Sequence, residues 1–258
     1  MGHNQLSTLA VSAKWTEVVE LLAADASTED VAAATAAAAE RQLREAPRDP
    51  VYAEAVRLLL RIPAAALQPG FGRALRDLGL PVGDAPELTD ILFAAGDRLD
   101  RVAREKRGGD FGELARRSLI AALSSRIGAE LPGLFEATPA DVETATRRFA
   151  SPRDFAGLAR SFYTRLVSET LSSFLDRTLA TQVGPTSRFA HAGDRSAFDD
   201  ALAQHCFETT RIIHEFSSGW HAKHLIHGDG GSPRAVAEFG YVALKKILTE
   251  LIRRRDLG

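Results

Sequence analysis

The sequence predicts an all-α protein, a multi-helix bundle in one or two helical subdomains. Three observations carry this. Apolar residues recur at helical spacing along most of the chain. Serine or threonine next to proline or an acid opens one segment after another. No run alternates with period two between hairpin turns.

Taken in order, the first strong element is VAAATAAAAERQLREA, from Val31 to Ala46, with a start signal at Ser27. Alanine is the best helix former, and a small-residue surface lets neighbouring helices approach closely. VRLLLRIPAAAL follows; Arg61 and Pro63 interrupt its apolar run. From Leu88 the apolar positions are Leu88, Ile91, Leu92, Ala95, Leu99 and Val102, one face of a helix. EKRGGD at 105–110 is the clearest internal break, with a new start at Asp110. It suggests an N-terminal subdomain over 1–107 and a C-terminal one over 108–258.

Start signals continue at Thr138 in TPAD, Ser151 in SPRD, Ser196 in SAFD and Ser232 in SPRA. The hydroxyl accepts a bond from a free N–H of the first turn, and proline at N1 lacks the N–H that would otherwise be orphaned. After Ser151 the apolar positions run Phe155, Leu158, Ala159, Phe162, Leu166, Leu171, Phe174 and Leu175. They predict the longest helix, over about 152–181. The last helix carries Val236, Phe239, Gly240, Ala243, Leu244, Ile247, Leu248 and Leu251 on one face, and Lys245, Lys246, Arg253, Arg254 and Arg255 mostly off it.

Composition narrows the function classes. A chain that is 45% hydrophobic and 26% charged has enough apolar surface to bury a core. A net charge of -2 argues against general nucleic-acid or anionic-lipid binding. One cysteine excludes an internal disulfide framework. The opening residues lack the charged start and apolar core of a signal peptide, and no apolar run nears the roughly 18 residues of a membrane span. A cytoplasmic location is expected.

Five of the seven histidines fall in HCFETTRIIHEFSSGWHAKHLIHGDGG, from His205 to Gly231. A helix from about Ala197 to about Ser218 puts His205 and His214 on opposite sides, so His205 belongs to the packed core. Cys206 has no CxxC partner and is expected to be an inert thiol. Spacings of seven and three return His214, His221 and His224 to nearly one face. If the chain curls back at Gly219, three imidazoles could hold a transition metal, zinc first, with a position left for water. No HExxH accompanies them. The stretch ends in a glycine-rich turn at 228–231 feeding a helix start. There His227, Gly230, Gly231, Ser232 and Arg234 could bind a small anion.

Three functional readings follow. The first is a non-catalytic interaction or scaffold subunit that joins another chain or a second copy of itself, in a complex of bacterial type. It rests on many amphipathic helices and on the lack of a serine elbow, telling carboxylate pair or nucleotide loop in the sequence. The second is a regulatory protein that binds an anion at 228–231. The third is a metal-dependent enzyme using the histidines of 205–227. The first is preferred, which leans away from catalysis.

Overall fold

Helix starts fall where hydroxyls and carboxylates can cap them. The computed structural model describes residues 13–133, 136–184, 187–224 and 232–253. Among them are twelve α-helices and one short 3-10 turn, Ala46–Arg48. In chain order they are α1 (Ala13–Ala23), α2 (Thr28–Ala38), α3 (Glu40–Glu45), α4 (Pro50–Ala65), α5 (Phe71–Asp77), α6 (Leu88–Lys106), α7 (Asp110–Gly128), α8 (Pro139–Arg148), α9 (Pro152–Ala180), α10 (Ala192–Thr209), α11 (Arg211–His224) and α12 (Pro233–Arg253). No strand forms among the described residues, so the all-α bundle is the observed architecture.

Four of the five hydroxyl signals are helix caps. Ser27, Thr138, Ser151 and Ser232 each accept a backbone N–H three residues on, at 3.1, 3.3, 3.2 and 3.2 Å. The signal at Ser196 misleads. Helix α10 begins one turn earlier, where the His191 backbone N–H donates to Asp194 at 2.9 Å. Pro63 does not end its helix early; it sits, buried, in the last turns of α4.

Helix α9 is the longest, with 29 residues, and lies at the centre against α2, α7, α10 and α11. Its Phe155, Leu158, Phe162, Leu166 and Leu175 are fully buried. Each such side chain contributes roughly 1.5–3 kcal/mol relative to exposure. The alanine face of α2 is buried against α1, α10 and α12, the close packing its composition predicts. One hydrophobic cluster runs from Val18 to Leu251.

The break at 105–110 is a tight turn between two helices that pack on each other and on α4. Arg107 ends α6 in the left-handed region, at φ 55°. Asp49 ties the turn to α4: one carboxylate oxygen accepts from Val51 and Tyr52, and the other accepts from the Gly109 N–H at 2.8 Å. A Cβ on Gly112 would lie 2.5 Å from Asp49 Oδ1, so only glycine allows this approach.

Three helices distant in sequence meet at two tyrosines. Tyr52 of α4 and Tyr163 of α9 place their hydroxyls 3.1 Å apart, and the Tyr52 hydroxyl donates to the Gly240 carbonyl of α12 at 2.8 Å. Burial pushes both phenols above their ordinary range, so both stay protonated and able to donate. No helix among the described residues is long and apolar enough to cross a membrane.

Candidate functional site

The histidine stretch resolves into separate environments. His205 is buried in α10, in the core as its position predicts. Beside it Cys206 is buried, and burial pushes its thiol up to about 12, so it stays protonated and unreactive. The helix expected over about 197–218 is two helices, which meet at Thr210. The Thr210 hydroxyl contacts the Cys206 carbonyl at 2.8 Å and the Thr164 hydroxyl of α9 at 2.6 Å.

The expected curl at Gly219 does not occur. Helix α11 runs unbroken through Ser217, Ser218 and Gly219 to His224. Glycine there costs roughly 1 kcal/mol of helix stability, and burial of Ser217, Trp220 and His221 offsets it. A Cβ on Gly219 would meet nothing within 4 Å. Gly219→Ala is therefore expected to stabilise the protein by about 0.5–1 kcal/mol, read as a rise in the urea midpoint. A loss of stability would show that the residue is needed in a non-helical conformation.

On an unbroken helix the three imidazoles do not converge. Seven residues from His214 to His221 rise about 10 Å. Two nitrogens on one zinc, each about 2 Å from the ion, stand far closer. His214 is exposed, His221 is buried against Phe155 with ring centres 4.7 Å apart, and His224 stacks on Trp220 at 4.7 Å. No group of three or more histidine, cysteine or acidic side chains able to hold a metal ion occurs among the described residues. His221 and Trp220 instead close one side of an aromatic cluster around Phe239.

Of the residues proposed for anion binding, Ser232 caps α12 and Arg234 is exposed in its first turn. His227, Gly230 and Gly231 lie outside the described residues.

A surface feature that sequence reasoning did not single out lies along α12. An open groove of about 320 Å³ separates α12 from α3 and the 3-10 turn. Glu40, Leu43, Arg44 and Pro47 form one wall; Tyr241, Leu244, Lys245, Leu248, Thr249, Ile252 and Arg253 form the other. Both walls follow helical spacing, so each offers one continuous stripe. A second, small pocket of about 20 Å³ shares Leu43, Leu244 and Leu248 with the groove. Tyr241 is 47% exposed although it belongs to an apolar wall.

The sequence signal for this groove was a second stripe on the last helix. Tyr241, Lys245, Leu248 and Ile252 lie within about 60° of one another, along the edge of the main buried face. What hid it was the opposite wall, Glu40 to Pro47, far away in sequence.

Charges ring the groove unevenly. Glu40 pairs with Arg44 at 2.8 Å and with Lys14 at 3.6 Å, and Arg253 pairs with Glu250 at 3.2 Å. The lining offers apolar contact, cations and one paired carboxylate, Glu40, and holds no cysteine, histidine or serine.

Compared with known proteins, the chain matches no family model, no curated protein and no solved structure.

Proposed function

We propose that this protein is a non-catalytic interaction subunit that joins a partner chain through the α3–α12 groove, within a cytoplasmic complex of bacterial type. The observation that supports the reading is the groove itself. It is an open trough with a leucine and isoleucine floor, walled by two helices. Apolar surface left in such a trough is what a second protein chain would remove from water, at about 25 cal/mol per Å². Its lining holds no histidine, cysteine or serine, and its one carboxylate, Glu40, is paired with Arg44 and Lys14.

The test is the size of the native complex. Protein purified from its own cells should run, by light scattering, as a complex larger than one chain. Tyr241→Glu should release the partner with little change in melting temperature, since Tyr241 is half exposed and carries no core packing. A strictly monomeric native protein would count against the interaction reading. A complex that survives Tyr241→Glu would leave that reading standing and move the contact elsewhere.

A further inference from the structure

The proposal rests on the groove reading above and names its occupant: we infer that the α3–α12 groove binds an amphipathic helix of another protein, apolar on one face and rich in Asp and Glu along its flanks.

Shape selects the helix. The stripe from Tyr241 to Ile252 spans about three turns of α12, about 17 Å. The opposite wall is shorter, Glu40 to Pro47, and a groove between such helical walls accepts one face of a third helix, with apolar side chains at i, i+3 or i+4, and i+7. A peptide adding as a β-strand would need a sheet edge to supply main-chain partners, and no strand forms among the described residues. Leu244, Leu248 and Ile252 would receive the apolar face.

Charge selects the flanks. Four cations stand at the rim, Lys14, Arg44, Lys245 and Arg253. Against them stand two carboxylates, Glu40 and Glu250. Glu40 is shared by Lys14 and Arg44, and Lys245 has no ion pair among the described residues. The rim thus carries an excess of two positive charges on a chain whose net charge is -2. Complementary rim charges steer encounter and reject partners of the wrong sign, and their effect weakens as salt screens them.

Selection from a displayed library of random helical peptides, about 16 residues long, on the full-length protein tests the idea. The enriched peptides should combine helical apolar spacing with an excess of Asp and Glu. A synthetic copy of the best one, followed by fluorescence anisotropy, should lose about tenfold in affinity with Lys245→Glu and more with Tyr241→Glu. Its affinity should fall as salt rises. Both residues are exposed, so circular dichroism should report an unchanged fold.

Enrichment of basic or aperiodic peptides, no enrichment, or binding indifferent to both variants would overturn the proposal. So would a native complex that proves to be a second copy of this chain seated in the groove. None of the peptide results alone would overturn the interaction reading, which stands or falls on the size of the native complex.

Discussion

Replacing Phe239 by alanine is expected to cost about 3–5 kcal/mol and to lower the urea midpoint more than any other single aliphatic or aromatic truncation in α12. Phe239 is fully buried, and its ring meets four others. It stacks on Phe216 at 5.4 Å and contacts Trp220 at 4.8 Å, Phe155 at 6.0 Å and Tyr163 at 6.3 Å. Those rings come from α9 and α11, so the cavity left by alanine would open at the joint of three helices. Rings fixed by three helices relax little, and an unrelaxed cavity is the costly kind. Equilibrium unfolding of Phe239→Ala and Phe239→Leu checks this. Leucine should recover at least half of the loss. A cost below about 1 kcal/mol for alanine would mean that the cluster collapses around the gap.

Lowering the pH is expected to weaken the protein through His221. Burial lowers its imidazole from 6.5 to about 4, because the charged ring would leave water to face Phe155. Its Nδ1 is buried with no hydrogen-bond partner among the described residues. Below pH 6.5 the unfolded chain takes up this proton while the folded chain does not, until pH falls to about 4. Stability present above pH 6.5 is therefore lost as pH falls through this window, and the loss levels off below about 4. The full effect is about 3 kcal/mol. His221→Leu removes the titrating group and should flatten that part of the curve relative to the parent, with other acid-sensitive groups common to both. Parallel curves for the two proteins would show that His221 is protonated in the folded state at ordinary cost.

Much of the fold was legible because local chemistry and tertiary packing agree. At Ser27, Thr138, Ser151 and Ser232 a hydroxyl meets an orphan N–H, a bond within four residues that needs nothing distant. Ser196 carries the same signal and fails because Asp194 already anchors the first turn of α10. Gly219 fails for a different reason. Glycine permits a turn without imposing one, and the burial of Trp220 and His221 keeps the helix going. The burial of His205 could be read from its helical face, whereas the separate surroundings of His214, His221 and His224 depend on what α9 and α12 place beside α11. The groove was the least legible feature. Its α12 stripe reads as ordinary amphipathicity, and only the folded chain sets Leu43 and Pro47 opposite Leu244 and Leu248.

The hydroxyl contact among Tyr52, Tyr163 and Gly240 has a bearing on the order of synthesis. Chains emerge from the ribosome N-terminus first, and α12 is the last described helix to appear. Until it arrives, the Tyr52 hydroxyl lacks the Gly240 carbonyl, and the rings of Phe155 and Tyr163 lack Phe239 to cover them. The central helices thus stay partly uncovered until α12 has emerged. A chain that stops before Pro233 is expected to be aggregation-prone, so this fold depends on α12 more than one built from neighbours in sequence would.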